Sequence, residues 1–302
     1  MRVLITGGTG MIGTALVKSL QADGHQVWVL TRKPHSARLP EGVRIIGWDA
    51  CTSAGWGELV NQVDAVVNLV GERLSKWPWT KRQKQCFWDS RVKGGRALVE
   101  AIQTVSTPPK VLVQASGVNY YGPHDLTPVS EADASGNDFL SDLCKAWEAS
   151  TEPVEKMGVR RVIVRSAIVL SAQAGILPIM LFPVRVFAGG PLGSGRQGLP
   201  WIHLEDEVAA IRFLLETQSA SGPFNLTSPN PISSSEFLRA VATTLHRPYW
   251  LPVPAFMLRL VLGGMSTLVL DGAYLRPGGL QELGFNFHFE TAQAALRDLL
   301  SG

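Results

Sequence analysis

The sequence predicts an α/β fold: a doubly wound parallel sheet with a second, smaller and discontinuous domain towards the C-terminus. Three observations carry this. Short, nearly continuous apolar runs alternate with helical runs through the first two-thirds of the chain, the pattern of parallel strands buried on both faces. A glycine-rich segment, Thr6-Gly7-Gly8-Thr9-Gly10-Met11-Ile12-Gly13, follows the first apolar run and precedes the first helical one. After about Ser171 the alternation gives way to a looser region rich in Gly and Pro.

Taken in order, the strand-like runs are residues 3–5, 27–30, 43–46, 65–69, 111–114 and 162–170. Helices are expected between them, notably over 14–22, 91–104 and 139–157. Right-handed crossovers bring the carboxyl ends of the strands to one edge, where ligands are expected. Beyond them, 176–187 reads as helical. The loop from Gly189 to Gly195, with four glycines in seven residues, is expected to be mobile or fitted to a ligand. A short strand at 201–203, a helix at 205–216 and a strand at 224–226 that returns to the main sheet come next. An amphipathic helix over 290–300 closes the chain. The expected division is 1–172 with 205–228 as the dinucleotide-binding unit, and 173–204 with 229–302 as a substrate-side unit over the strand ends.

The glycines have separate uses. Gly7 permits a tight turn, Gly10 a close approach of backbone to phosphate, and Gly13 close packing of the helix. The helix N-terminus adds free N–H groups and a partial positive charge, which suit a pyrophosphate. Sites for NAD place an acid about 20 residues further on, at the ribose 2′-hydroxyl. Here Arg32 and Lys33 stand 19 and 20 residues after Gly13, with no acid beside them. A guanidinium binds a 2′-phosphate in a bidentate fork, which an Asp would repel. The expected cofactor is NADP(H), with Arg32 on the 2′-phosphate and Lys33 assisting.

Net charge is only +3, so nucleic acid is not an expected partner. No apolar stretch reaches the ~20 residues that span a bilayer; residues 256–270 come nearest, interrupted by Arg259 and Gly263-Gly264. No membrane partner is expected, and a monomer or homodimer in the cytoplasm is. The three cysteines, Cys51, Cys86 and Cys144, match no metal spacing and read as reduced structural thiols. No metal site is expected.

Four landmarks carry a family resemblance. They are residues 6–13, Asn68-Leu69-Val70-Gly71, residues 115–122 (Ala-Ser-Gly-Val-Asn-Tyr-Tyr-Gly), and Arg165-Ser166. With the tail from Leu251 to Leu300, the chain resembles extended or atypical short-chain dehydrogenases/reductases of the nucleotide-sugar epimerase lineage, in the subgroup known as epimerase family proteins. The resemblance implies a Rossmann domain and a nicotinamide dinucleotide. It implies that Thr9, Met11 and Ile12 offer N–H groups to the pyrophosphate and that Asp49 reaches the adenine edge. Leu69, Val70 and Gly71 would lie under the adenine ribose with Glu72 close by, and Arg91 and Arg165 would face the cofactor. A turn-forming Asp49 is the competing reading.

The same family usually carries Tyr-x-x-x-Lys on the helix after the fifth strand, both side chains on one helical face. The lysine in register here is Lys145, and Ser141 stands where the tyrosine belongs. The usual Ser/Thr aligns with Gly117, one place from Ser116. Three readings stay open. Tyr120 or Tyr121 acts as a relocated acid, with Lys145 and Ser116 as the remaining catalytic candidates. Proton transfer is assisted by substrate or water. Or the protein binds NADPH without fast chemistry, as a sensor or partner-binding module. For substrate, Arg196 beside mobile glycines suits an anion, with Trp201 and His203 lining the cleft. The functional expectation is an NADP(H)-dependent oxidoreductase or epimerase-like enzyme on a small carbonyl or hydroxyl substrate, with a nucleotide sugar in view.

Overall fold

A computed structural model describes residues 1–124 and 126–301. Gly302, the last residue of the second expected unit, lies outside the described residues. The first half of the chain runs β1 (Arg2–Thr6), α1 (Met11–Ala22), β2 (Gln26–Thr31), β3 (Arg44–Gly47), β4 (Ala65–Asn68), α2 (Lys81–Thr104) and β5 (Val111–Gly117). It continues with β6 (Pro128–Val129), α3 (Phe139–Ala149), β7 (Arg160–Ser166), β8 (Ile168–Leu170) and α4 (Leu177–Arg185). β9 (Trp201–His203), α5 (Leu204–Glu216), β10 (Gly222–Leu226), α6 (Ser234–Thr244), α7 (Ala255–Leu262) and α8 (Thr267–Leu270) follow. The tail holds β11 (Tyr274–Leu275), α9 (Gly278–Glu282) and α10 (Ala292–Leu300).

Seven strands form one parallel sheet in the order β10-β7-β5-β4-β1-β2-β3. The chain winds one way from β1 and the other way from β4, so the switch point lies between their carboxyl ends. The strands are buried on both faces, which is why their sequences run apolar without alternating. One core packs α1 and α5 against the sheet through Leu16, Leu20, Ile211 and Leu214. A second packs α2 through Leu98 and Ile102 around Trp28, Trp48 and Trp56. A third, away from the sheet, joins α4, α6 and α10 around Trp201 and Phe237. A small fourth core holds Tyr121 with Val129, Ala273 and Leu275, where β11 pairs with β6.

Several element boundaries differ from the sequence expectation. The helix expected over 91–104 begins at Lys81, capped by the Thr80 side chain, which accepts from Gln83 N–H. Its first turns are polar, so the apolar period starts late while the cap and the buried Phe87 extend the helix. The helix expected over 139–157 ends at Ala149. A 3₁₀ segment, Glu152–Met157, follows with Pro153 at its start, where no N–H is available to continue an α-helix. The run 162–170 is two strands. β7 stays in the main sheet, and β8 leaves it to pair with β9. The return of residues 224–226 to the main sheet holds as expected.

The Gly189–Gly195 loop is pinned rather than mobile. Gly189 O accepts from Trp250 and Leu251, and Gly193 N–H donates to Val253 O at 2.9 Å. A Cβ on Gly190 would stand 1.9 Å from Leu251 O. The glycines there allow backbones to touch, which composition alone does not separate from freedom to move.

Candidate active site

Strand register at the switch point is fixed by buried side chains. Thr6 Oγ1 donates to Asn68 Oδ1 at 2.6 Å, and Asn68 Nδ2 donates to Gln114 Oε1 at 2.8 Å. This relay crosses β1, β4 and β5 one residue before the glycine turn. Gly7 has φ +70°, and a Cβ on it would lie 2.7 Å from Leu69 O. The glycine turn and the Leu69–Gly71 segment therefore meet across the crevice. Gly10 is the N-cap of α1 without a side-chain bond, and no acid stands in the first turn. Thr9 is exposed and Met11 and Ile12 are half-buried at that helix start, leaving the first-turn N–H groups without a side-chain cap.

Gly13 is tighter still: a Cβ there would sit 2.3 Å from Gly7 O and 2.6 Å from Gly8 Cα. Both are backbone atoms, so the turn itself must move. Gly13→Ala is expected to cost about 1–3 kcal/mol as an overpacked site, read as a Tm several degrees lower. An unchanged Tm would contradict this packing.

Arg32 and Lys33 lie just beyond β2, both exposed. Neither side chain has an ion pair among the described residues. Arg32 is close enough to Glu72 to lower that carboxyl's pKa, although Lys76, 3.0 Å from Glu72, does more. Burial opposes both effects and is outweighed. Arg91 is buried under Gly71 and Glu72. It donates to the Glu72 and Phe87 carbonyls, at 3.1 Å each, and lies over the Trp147 ring. It stands inside α2 rather than opening it. No carboxylate pairs with it among the described residues, and burial pushes its pKa down to about 10 against the pull of Cys144 and Glu72. Asp49 takes the turn-forming role: its carboxylate accepts from Cys51 N–H, Thr52 N–H and Thr52 Oγ1. Those bonds, led by the Cys51 and Thr52 amides, hold its pKa down.

The expected catalytic and nicotinamide-side residues are mostly engaged elsewhere. Ser116 is buried and donates to Glu148 Oε1 at 2.6 Å. Arg165 forms a bidentate pair with the same carboxylate, at 2.9 and 3.0 Å. It also donates to Tyr121 Oη and stacks over Tyr120, 3.4 Å from the ring centre. Burial works against its charge, but Glu148 outweighs burial and raises its pKa. Arg165 is therefore a buried strut rather than a cofactor-facing cation. Tyr121 donates to Asn225 Oδ1 at 2.7 Å, and burial pushes its phenol up to about 12. A phenol so placed neither gives nor takes a proton readily near neutrality, so Tyr121 and Ser116 are corrected to structural roles. Ser141 is also buried, its hydroxyl 2.9 Å from Asp138 Oδ1 and 3.0 Å from Asn119 O. Lys145 has no phenol one turn before it. Its ammonium pairs with Asp142 at 2.8 Å and lies 3.4 Å from Gly136 O. Tyr120 stays half-buried beneath Arg165.

The expected substrate residues are not brought together. Arg196 is exposed on the pinned loop, and its carbonyl accepts from Tyr274 Oη. Trp201 is buried in the third core. His203 is buried as well, capping α5 by accepting from Glu205 N–H and stacking on Phe289 at 3.9 Å. Its Nε2 lies 3.3 Å from Asp298 Oδ2 at an angle too poor for a hydrogen bond. Burial lowers its pKa despite Glu205, Asp298 and Asp206 nearby. Trp201 and His203 thus leave the cleft because β9 forms an interior layer between the sheet and α10.

Sequence reasoning missed two groups. Glu148 shares the sheet-facing side of α3 with Ser141 and Cys144, and a buried acid at that helical spacing was the available signal. Glu207 is the other. It is fully buried in α5, one oxygen accepting from Ser166 Oγ at 2.6 Å and the other without a partner. Ser166 is half-buried at the carboxyl end of β7, opposite Gly117. Burial raises the Glu207 carboxyl to about 8, against the Ser166 bond. Hydroxyl and carboxyl together can hold a proton at the strand ends near neutral pH. The folded carboxyl stays protonated where the unfolded one, near 4.5, has ionised. Rising pH across that window therefore favours unfolding. Glu207→Gln cannot ionise and is expected to flatten the fall in denaturant midpoint between those two pH values. Parallel profiles for both proteins would contradict this.

Comparison with known proteins agrees with this fold. The NAD dependent epimerase/dehydratase family matches residues 3–227, and a domain of unknown function, DUF1731, matches residues 253–299. The chain is 39% identical to the epimerase family protein SAR0825 of Staphylococcus aureus over 300 residues, covering 99% of this chain and 98% of that one. It superposes on the crystal structure of the human epimerase family protein SDR39U1 with NADPH at a TM-score of 0.88, with 32% identity and 100% of both chains covered. A UDP-glucose 4-epimerase from Thermus thermophilus, solved with NAD, has a TM-score of 0.80 at 19% identity, covers 100% of this chain and 98% of its own, and shares the fold. With three-quarters of its length inside the family match and a relative similar from end to end, this chain belongs to the NAD dependent epimerase/dehydratase family.

Proposed function

We propose that this protein is an NADP(H)-dependent oxidoreductase or epimerase-like enzyme acting on a small carbonyl or hydroxyl substrate, with nucleotide sugars the class its family suggests. One observation carries the reading: two exposed cations without an ion pair among the described residues, Arg32 and Lys33, follow β2 where an NAD site keeps an acid. The human relative solved with NADPH supports it.

The residues present fit such a group. Gly7 and Gly13 leave no room for a Cβ against Leu69 O and Gly7 O, which keeps the turn tight, and Gly10 opens the helix with no side chain over its first N–H groups. The α1 N-terminus, through Thr9, Met11 and Ile12, would hold the pyrophosphate. Leu69, Val70, Gly71 and Glu72 would support the adenine ribose, and Arg91 beside them forms no ion pair among the described residues. When bound, the nicotinamide supplies hydride exchange with a carbonyl or hydroxyl carbon. The protein must then move a proton in step with the hydride. We assign Lys145 to the ribose, reached by releasing its partly exposed and therefore weak pair with Asp142. We assign proton holding to Ser166 with Glu207 behind it.

The test is equilibrium binding of NADPH and NADH, then loss of nicotinamide absorbance against a panel of carbonyl compounds. Preferential NADPH binding with substrate-dependent oxidation supports the reading, and equal affinity for the two nucleotides overturns its cofactor. A second reading, a non-catalytic NADPH-binding protein, is favoured by the absence of a phenol one turn before Lys145. It expects binding without oxidation across the panel.

A further inference from the structure

Helix α7, Ala-Phe-Met-Leu-Arg-Leu-Val-Leu, contains no buried residue. Leu260 is 83% exposed, Phe256 68% and Val261 65%. A helix apolar on nearly every side is stable in water only when something covers it. The exposure continues beyond the helix. Leu260–Gly264 and Trp77–Thr80 line one cavity of about 280 Å³, with Trp77 itself 61% exposed. At the other end, Trp250 is 62% exposed and its indole donates to Phe187 O. Phe187, Val186 and Phe182 extend the apolar surface along the end of α4. Gly193 abuts Ala255, which joins the two sides.

Charge identifies the partner. The patch is carried by residues 73–84, 177–196 and 247–262. These 48 residues contain nine of the chain's 28 Lys and Arg and none of its 25 Asp and Glu. The rest, with 19 against 25, is net negative by six. Of the nine, Lys76 is paired with Glu72 just outside the patch, Arg247 lies over the Phe187 ring within it, Lys84 lies over the Phe139 ring, and Arg259 is close enough to Asp271 to act on its carboxyl. Exposed tryptophans, aliphatic side chains and a rim of cations form the composition that seats at the headgroup level of a membrane. A protein partner of neutral chemistry would leave the cations unmatched, and a second copy would bring nine like charges against nine.

We propose that this face docks on an anionic lipid surface. Phe256, Leu260, Val261, Trp77 and Trp250 enter the interfacial layer, and the surrounding cations meet lipid phosphates. No helix among the described residues is long and apolar enough to cross a bilayer, so the contact is peripheral. It stands independently of the nicotinamide reading.

The test is sedimentation of the full chain with vesicles of phosphatidylcholine alone and of phosphatidylcholine mixed with phosphatidylglycerol. Binding is expected on the mixed vesicles, weakening as salt rises. The double variant Phe256→Glu with Leu260→Glu should lose at least tenfold in vesicle binding at unchanged Tm, since both side chains are exposed. Lys81→Ser with Arg82→Ser should weaken it by on the order of fivefold per cation. No binding to the mixed vesicles, or undiminished binding by the double variant, overturns the proposal. So does a wild-type dimer that the double variant converts to monomers, because a second copy would then be the cover.

Discussion

Arg32→Asp is expected to lower NADPH affinity by on the order of 100-fold while leaving NADH affinity unchanged or improved. A guanidinium on a phosphate makes charge-assisted hydrogen bonds worth about 1.5–3 kcal/mol, roughly one to two decades in Kd. The substituted carboxylate adds repulsion of the 2′-phosphate and offers an acceptor to a ribose 2′-hydroxyl. Because Arg32 is exposed and has no ion pair among the described residues, its loss leaves no buried partner behind, and Tm should not move. Equilibrium titration of both nucleotides, with a melt of the same samples, checks each part. If the ratio of affinities stays at its wild-type value, Arg32 does not meet the 2′-phosphate and the case for NADP(H) loses its main support. Phosphate contacts of this kind are screened, so the wild-type preference should also narrow at high salt.

The parts of this protein that were legible in its sequence are those where a single local rule decides the outcome. The continuous apolar strands, the strand–glycine–helix turn and the two cations after β2 are each readable from neighbours in the chain. Gly13 fits this reading because the atoms it must clear, Gly7 O and Gly8 Cα, lie within six residues, whereas Gly7 combines a local positive φ with a distant neighbour, Leu69 O. Where long-range packing decides, the sequence is mute. Trp201 and His203 look like cleft residues until β9 is seen pairing with β8, which carries both inward beneath α10. The 189–195 loop looks mobile until residues 249–253 are placed against it. Tyr121 looks available until Asn225, 104 residues away, is seen to accept its hydroxyl hydrogen bond. Ser116 and Tyr121 are held in the interior for one shared reason. Buried polar groups must find partners, and at the end of β7 they find one another.

Glu148→Gln tests that shared reason, with an expected loss of about 3–5 kcal/mol. Glu148 is the carboxylate on which Ser116 and Arg165 converge, all three side chains being buried. Removing one member of a buried pair leaves an uncompensated charge, which costs far more than the pair itself contributes. Here the stranded group is Arg165, which also holds Tyr121 and through it Asn225 at the start of the C-terminal contacts. The loss should therefore spread across β7, β10 and the β6–β11 pair, appearing as a Tm lower by on the order of 10 °C. Glu148→Leu combined with Arg165→Met should recover part of this, because a buried ion pair is often replaced by apolar groups without loss. Below the melting transition, nucleotide affinity of the single variant should change by no more than a few-fold, since this network lies behind the strand ends rather than on the glycine turn. A fall in affinity as large as that of Arg32→Asp at unchanged Tm would mean that Glu148 and Arg165 face the ligand, and the division between strut and binding surface would have to be redrawn.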